Sequence, residues 1–449
     1  MRQGVAIFAA AAVVAATLPF LRDQDASIAS MLSKAKIAVT GPDEGEETSS
    51  VDPPPLTDVE LAHIDDRRDV ITAPAHERRT AELTLDPMYQ RAATSILRRG
   101  EVYEAAVVMT EVKTGRILVW ASYNHGRPRD LASAPIGPSA SLFKIVTGAA
   151  LVEAGVPLNQ KHCYRGGRSG ITARLLEPDE RRDKYCATLG MAMGRSLNVV
   201  FGRLAKQHLD QDKLEGVARR MGYGLDIPFD VPITPSEIEM PEDDLEFART
   251  AAGFWHTTLS PFQATNLALT VASGGEMIRQ RIVSRVLEED GTVIYEAPSE
   301  RQVFKRVLDE RTAWAVARMM EQTVANGTSF KTFHDRAGRP FVPDIPVAGK
   351  TGTLEVKKSG TLVTWWAGFA PADDPEVALS AVVLNRGAWH IKGTHVAADM
   401  LRIYFADHGR KGVRFPPGLR GLKRRNKASV QDDERESRRE TAPATHGAG

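Results

Sequence analysis

The 449-residue chain lacks an excess of charge of either sign. Lys and Arg together number 58, Asp and Glu number 57, and the formal net charge at pH 7 is +1. Proteins that bind nucleic acid, or that hold to membrane surfaces by electrostatics alone, carry a strong basic balance. The near-neutral balance argues against both classes, and no internal repeat is evident.

Cysteine is equally scarce, because Cys163 and Cys186 are the only two. In an exported protein they could pair, and the loop between them is short enough for a disulfide to staple an insertion. Two buried thiols are the alternative. No cysteine directly follows the apolar N-terminal segment, which argues against a lipoprotein anchor.

A long apolar run occurs at the N-terminus, from Val5 to Leu21. About 17 residues is short for a bilayer span and long for the core of a signal peptide. We expect residues 1–21 to be an uncleaved single-pass anchor in the inner membrane, with the rest of the chain in the periplasm or another extracytoplasmic space. The alternative is a cleaved signal peptide and a secreted protein.

Composition divides the remainder into three parts. Residues 22–80 are polar and acidic and offer little apolar surface, which predicts a disordered spacer. Residues 81–408 are expected to form the folded domain. Residues 409–449, basic and then of mixed charge, are expected to be a disordered tail, with a basic patch that contacts an anionic surface as the alternative.

Periodicity predicts the secondary structure of the domain. Asp86-Pro87 is a favourable helix start, and the helix should end at Gly100. Strands at both ends of the domain, with helices between them, predict an α+β fold. It would have one central antiparallel sheet built from both ends, flanked by helices, with an all-helical lobe inserted between about Ser141 and Asn326. The predicted strands are 105–112, 116–122, 347–356, 362–370 and 377–385, and a last helix is predicted at 394–408.

Three short motifs occur in a specific order. They are Ser141-Leu142-Phe143-Lys144, Ser196-Leu197-Asn198 and Lys350-Thr351-Gly352-Thr353. The order S-x-x-K, S-x-N, K-T-G is typical of serine acyl-transfer sites. Each triplet alone is weak, since S-x-x-K occurs by chance and S-x-N often caps a helix.

The first two motifs suggest a nucleophile and its base. Ser141 should lie at a helix N-terminus with Lys144 on the same face. A serine hydroxyl needs a base, and lysine can serve if burial and nearby positive charge, including that of Lys350, keep it neutral. Ser196 could relay a proton to the leaving group, and the amide of Asn198 could hydrogen-bond a peptide substrate.

The third motif is ambiguous because Lys113-Thr114-Gly115 also reads K-T-G, and Lys358-Ser359-Gly360 is close to it. Both of these fall at predicted hairpin turns. The stretch from Lys350 leads into a strand, so it is assigned the functional role. Lys350, Thr351 and Thr353 would bind a carboxylate, and Gly352 would permit close approach of a substrate backbone. The backbone N–H groups of Thr353 and Ser141 could form an oxyanion hole.

These residues give the chain a clear resemblance. From about Leu83 to Ala406 it resembles the transpeptidase domain of penicillin-binding proteins, with a β-lactamase/transpeptidase-like fold. Further matching segments are Leu83–Asp86, Lys113–Leu118, Thr258–Gln263, Ala272–Gly275, Asn326–Thr328 and Trp366–Pro371. One departure is Gly137-Pro138-Ser139-Ala140 before the nucleophile, where the family usually has Pro-Gly. Ser139 is a rival hydroxyl without a lysine three residues on.

The resemblance implies a peptidoglycan D,D-transpeptidase. Ser141 would attack the penultimate D-alanine of a stem peptide, and an amine of a neighbouring stem would resolve the acyl-enzyme as a cross-link. No metal or organic cofactor is implied, and β-lactams would acylate Ser141. The enzyme would be monofunctional, since no glycosyltransferase domain is expected, and partners in cell-wall synthesis could dock on the spacer or tail.

Two other functions are consistent with the motifs. A D,D-carboxypeptidase or β-lactam hydrolase would use water as the acyl acceptor on the same fold. A β-lactam or muropeptide sensor, or a scaffold, would bind without turnover. Persistence of a penicillin adduct would favour a transpeptidase over a β-lactam hydrolase, and absence of any adduct on a folded protein would indicate a scaffold.

Overall fold

The computed structural model describes residues 58–419, apart from residues 127, 168–169, 357–358 and 388–389. The expected membrane segment, 1–21, lies outside the described residues. Within the described part of the chain, no helix combines the length and apolar character that a membrane crossing requires.

Strands and helices alternate irregularly along the chain. The strands are β1 (Thr72–Pro74), β2 (Thr80–Leu83), β3 (Glu104–Glu111), β4 (Ile117–Asn124), β5 (Gly137–Pro138), β6 (His162–Tyr164), β7 (Tyr185–Ala187), β8 (Thr258–Leu259), β9 (Glu276–Ile278), β10 (Val283–Leu287), β11 (Val293–Glu296), β12 (Val303–Arg306), β13 (Ala348–Val356), β14 (Thr361–Ala370) and β15 (Val377–Arg386). The α-helices are α1 (Pro87–Arg99), α2 (Lys144–Glu153), α3 (Ala173–Leu176), α4 (Leu189–Gly194), α5 (Asn198–His208), α6 (Gln211–Arg220), α7 (Asp244–Ala251), α8 (Pro261–Ala272), α9 (Glu310–Ala325), α10 (Phe330–Phe333) and α11 (Gly393–Asp407).

The central sheet is antiparallel, with strand order β13-β14-β15-β3-β4. The hairpin β3-β4 comes from the N-terminal part of the domain, and β13-β14-β15 from the C-terminal part. Strand β15 joins the two halves, with Val377 opposite Glu111 and Leu384 opposite Glu104. The prediction of one sheet built from both ends is confirmed.

Both faces of the sheet are covered by helices, so both faces of the inner strand β14 are shielded from solvent. All ten residues of β14 are buried. Trp365 lies in the core on the α8 side, and Trp366 in the core on the α1 and α11 side. Helix α8 is itself buried over nearly its whole length, as expected for a helix that is apolar all round.

Helix α1 shows why the predicted boundaries were accurate. The carboxylate of Asp86 accepts hydrogen bonds from the backbone N–H groups of Met88 and Tyr89, and Pro87 occupies the first helical position. Such a cap satisfies N–H groups that have no intrahelical partner. The predicted strands of the central sheet and the last helix agree with β3, β4, β13, β14, β15 and α11 within two residues.

Two predictions require correction. The lobe between Ser141 and Asn326 is not all-helical, because it also carries the strands β6 to β12. Part of the predicted spacer is folded, since β1 and β2 form a second antiparallel sheet with β10 and β11. The start of the predicted tail is also ordered, because Leu419 is 3% exposed in the core beside α11. Folded structure therefore extends on both sides of the predicted 81–408.

Candidate active site

Ser141 lies in a 3-10 turn, Ala140–Phe143, that leads directly into α2. The turn is unusual because Ala140 has a positive φ of 48°, which is uncommon for a residue with a Cβ. Gly253 packs against it, and a Cβ on Gly253 would lie 2.1 Å from the Ala140 carbonyl oxygen. Only glycine fits at 253, so this contact fixes the backbone that presents Ser141.

Strand β13 supports the same turn from the other side. A Cβ on Gly352 would lie 3.2 Å from the Ala140 Cβ and 3.1 Å from the Trp365 Cβ. The indole N–H of Trp365 donates to the Pro138 carbonyl at 3.1 Å. Gly352 therefore leaves room for the turn that carries Ser141, and its role toward a substrate backbone stays a prediction.

Lys144 is fully buried at the first turn of α2. Its Nζ lies 2.9 Å from Ser141 Oγ and 2.8 Å from Asn198 Oδ1, and it also donates to the Ala252 carbonyl. A neutral amine has two N–H groups and one lone pair. The two oxygens of Asn198 and Ala252 can accept the N–H groups, which leaves the lone pair to accept the Ser141 proton.

Burial favours that neutral form. Desolvation, and then the positive charge of Lys350, hold the pKa of Lys144 well below its usual value of 10.5. A base with hydrogen-bond reach to the nucleophile and a lowered pKa meets the two requirements for activating a serine.

A second buried lysine organises the other two motifs. Lys350 Nζ donates to Ser196 Oγ at 2.9 Å and to the Thr351 carbonyl at 2.8 Å. Burial lowers the pKa of Lys350 to about 7. Ser196 has a positive φ of 55°, a strained conformation that turns its hydroxyl toward β13. The three motifs thus meet in two hydrogen-bonded groups. One joins Ser141, Lys144 and Asn198, and the other joins Ser196 and Lys350.

The hydroxyl of Thr351 has a partner that the motifs did not indicate. Thr328, in the loop after α9, places its Oγ1 2.7 Å from Thr351 Oγ1. Thr353 is exposed on the same strand. The two threonines of β13 therefore face the open cleft, with one of them oriented from a neighbouring loop.

One cleft of about 990 Å³ is bordered by Ser141, Ser196, Asn198, Thr328, Thr351 and Thr353. Lys144 and Lys350 are fully buried and do not line it. Among the residues that the structure describes, no group of three or more His, Cys, Asp or Glu side chains is placed to hold a metal ion. The lining residues are Ser141, Gly170, Ile171, Arg195, Ser196, Asn198, Arg249, Ala252, Gly253, Phe254, Trp255, Asn326, Gly327, Thr328, Thr351, Thr353, Leu354, Glu355 and Leu362.

The rival residues lie elsewhere. Ser139 is fully buried with its Oγ 2.8 Å from the Tyr223 hydroxyl, so it does not reach the cleft. Lys113 is exposed in the β3-β4 hairpin, where Gly115 has a φ of 76°. Lys358 lies outside the described residues.

The two cysteines form a disulfide between β6 and β7, where they stand directly opposite each other. Asp183 ties the same segment to α5, because its carboxylate accepts from Arg165 and Arg203 at 2.7 Å each. Ile171, within this segment, lines the cleft and is held by Arg249 through its carbonyl. The disulfide therefore belongs to a wall of the cleft.

Sequence reasoning missed the carbonyl of Ala252, the glycine at 253 and Thr328. A backbone carbonyl has no sequence signature, since every residue carries one. The positive φ of Gly253 follows Thr250 and Ala251 at the end of α7, so a helix C-terminal glycine was the available signal.

The chain is similar in sequence to known proteins. Stage V sporulation protein D of Bacillus subtilis is 27% identical over 295 residues, which are 63% of this chain and 41% of that protein. Peptidoglycan D,D-transpeptidase PbpA of Mycobacterium tuberculosis is 25% identical over 351 residues, 70% of this chain and 68% of that protein. The chain thus spans less than half of the first relative's length.

Solved structures show the same fold. The D,D-transpeptidase domain of a peptidoglycan glycosyltransferase from Eggerthella lenta is 24% identical and matches with a TM-score of 0.60, over 73% of this chain and 83% of that one. Residues 105–403 match the family model described as penicillin binding protein transpeptidase domain. Since that match covers more than half of the chain, the protein belongs to the penicillin-binding protein transpeptidase family.

Proposed function

We propose that the protein is a peptidoglycan D,D-transpeptidase that works through an acyl-enzyme on Ser141. The observation that carries the proposal is the placement of a buried lysine nitrogen 2.9 Å from Ser141 Oγ, with Asn198 and Ala252 accepting its other hydrogen bonds. The relative PbpA is named for the same activity.

The chemistry proceeds in two transfers. Ser141 Oγ attacks the carbonyl carbon of the penultimate D-alanine while its proton passes to Lys144 Nζ. Backbone N–H groups of Ser141 and Thr353 receive the oxyanion. The peptide C–N bond then breaks, and the departing D-alanine nitrogen takes a proton, which Lys144 supplies and the Ser196 hydroxyl can relay.

The acyl-enzyme is resolved by an amine of a second stem peptide. That amine attacks the ester carbonyl and loses a proton, and Ser141 Oγ leaves and regains one. A β-lactam enters the same first step, because opening its ring supplies the acyl group. Lys350, Thr351 and Thr353 bind the carboxylate that both ligands carry.

The proposed location is the outer side of the inner membrane, anchored by residues 1–21, with secretion after cleavage as the alternative. The disulfide between Cys163 and Cys186 supports an oxidising, extracytoplasmic compartment, since disulfides are rare in the cytosol.

The intact mass of the full-length protein with penicillin tests the proposal. We expect one adduct on the wild-type protein and none on the Ser141→Ala variant, whose fold is checked by circular dichroism. Persistence of the adduct for hours supports a transpeptidase. Rapid loss would indicate a β-lactam hydrolase, and the absence of any adduct on a folded protein would overturn the proposal in favour of a scaffold.

A further inference from the structure

Arg195 is a charged residue of the cleft that the three motifs leave without a role. It directly follows α4 and precedes Ser196, and its side chain is exposed and lines the cleft. Among the residues that the structure describes, its guanidinium has no hydrogen-bond or ion-pair partner.

The backbone beneath Arg195 is held without help from the side chain. Its own N–H donates to the Met191 carbonyl at 2.9 Å, and the N–H of Ser196 donates to the Met193 carbonyl at 3.1 Å. The Gly194 carbonyl accepts from the N–H of Thr328 at 3.0 Å. The guanidinium is therefore presented from a rigid base and has no evident part in supporting the fold.

Arg249 lines the same cleft and shows what a structural arginine looks like here. Its guanidinium donates to the Ile171 carbonyl at 2.9 and 3.1 Å and to Glu246 Oε1 at 2.6 Å. These contacts use its donors to hold the wall. Arg195, with its donors free, is placed to meet a ligand instead.

Arg195 lies next to Ser196, at the end of the cleft where Lys350 also donates. Its Cα is about 3.8 Å from that of Ser196, as for any consecutive pair, and Ser196 Oγ accepts from Lys350. A guanidinium stays charged at all accessible pH values and offers a planar pair of donors that matches a carboxylate.

The anion that lines the cleft, Glu355, does not neutralise this cation. It lies on β13 five residues beyond Lys350, about 17 Å along the strand at a rise of ~3.4 Å per residue. No ion pair joins Glu355 to Arg195 among the described residues. The end of the cleft beside Ser196 therefore holds a fixed, unpaired positive charge.

We propose that Arg195 binds a free carboxylate of the stem peptide, distinct from the terminal carboxylate that leaves with D-alanine. This inference rests on the proposed transpeptidase function and adds a substrate class to it, namely stems with an internal carboxylate rather than a carboxamide. The carboxylate belongs either to the donor stem or to the acceptor stem, and acylation and transfer are measured separately to distinguish them.

The test uses the full-length wild type and Arg195→Gln with paired peptides that differ only in that carboxylate or carboxamide. When the donor peptide is varied, the release of D-alanine is measured. When the acceptor peptide is varied and the donor is kept the same, the cross-linked product is measured. In one arm we expect kcat/KM to favour the carboxylate by about tenfold in the wild type, as for a charge-assisted hydrogen bond. Arg195→Gln should abolish the preference.

Arg311→Gln is the matched control, because Arg311 is an exposed arginine on α9 that does not line the cleft. It should keep the full preference, and Arg195→Lys should keep part of it. Equal kcat/KM for both peptides in the wild type, or an equal loss for both in Arg195→Gln, would overturn the inference. A wild type that penicillin acylates on Ser141 but that shows no preference refutes this inference alone, whereas no acylation refutes the proposed function.

Discussion

The cleft has a floor of buried, hydrogen-bonded residues and a rim of exposed residues, and the two differ in what they require. On the floor, Lys144 and Lys350 are fully buried, and their side-chain nitrogens lie within hydrogen-bond distance of oxygens of neighbouring residues. On the rim, Arg195, Thr353 and Glu355 are exposed. Chemistry at the floor requires geometry that is set before the ligand arrives, while recognition at the rim requires groups whose hydrogen bonds are still available.

The floor also carries the unfavourable conformations. Ala140 and Ser196 both have positive φ, and two lysines are removed from water. Each feature costs free energy that the surrounding packing must offset. Arg195, Thr353 and Glu355 on the rim have neither feature, so within the cleft these costs fall where the proposed reaction takes place.

Loss of Lys144, on the floor, should have the largest effect on the rate of acylation. Lys144→Met keeps an unbranched side chain but removes the base, so we expect acylation by penicillin to slow by about 10²–10⁴-fold. Time-resolved intact mass measures the rate, and the carboxylate preference of the rim should survive in whatever turnover remains. A rate within tenfold of the wild type would show that another group takes the Ser141 proton.

The rate of acylation should depend on pH through Lys350 on the floor but not through Arg195 on the rim. This effect should be smaller than that of losing Lys144. Because burial lowers the pKa of Lys350 to about 7, its ammonium form is lost as the pH rises through that value. Its cation for the ligand carboxylate is lost with it, so the second-order rate constant for penicillin should fall by up to about tenfold per pH unit above that point. Burial and the positive charge of Lys350 also lower the pKa of Lys144, which favours its neutral form.

A penicillin ester, which lacks the carboxylate, provides the control. Its rate constant should not fall in that range, and a parallel fall for acid and ester would contradict the assignment to Lys350. The preference due to Arg195 should be constant from about pH 6 to about pH 9, because a guanidinium does not titrate there.

The smallest effect on acylation is expected at Ser139, which is close in sequence to the nucleophile but outside the cleft. Ser139→Ala should leave the penicillin adduct and its rate unchanged. It removes a buried partner of the Tyr223 hydroxyl, so the free energy of unfolding should fall by about 1–3 kcal/mol in a denaturant titration. Loss of the adduct in a folded variant would make Ser139 part of the reaction.

Much of the fold was predictable because local signals agreed with the final structure. The strands of the central sheet are apolar on both faces, and α1 begins at a capping aspartate and a proline. Strands β1 and β2 were missed because they are three and four residues long and lie in a polar stretch. Strand β2 pairs with β10, about two hundred residues away, and no local pattern predicts such a pairing.

At the site, the motifs located the residues but not all of their contacts. Asn198 is predicted to bind substrate, and the motif gave no sign that its Oδ1 also accepts from Lys144. Ser196 was expected to relay a proton from Lys144, and its hydroxyl accepts from Lys350. Both details depend on how α5 and β13 pack around α2, which is decided by the tertiary structure.

The placement of β15 between β14 and β3 also determines when the central sheet can be completed during synthesis. While the protein is being synthesised, β3 has an open edge until residues 377–386 have emerged, because they form its neighbour in the sheet. Open edges attract other strands, and closing so long a loop is slow. Lys350 precedes β15 by only a short stretch of chain, so the nucleophile and the strand beside it meet late. The three motifs can therefore come together only after most of the chain has been synthesised.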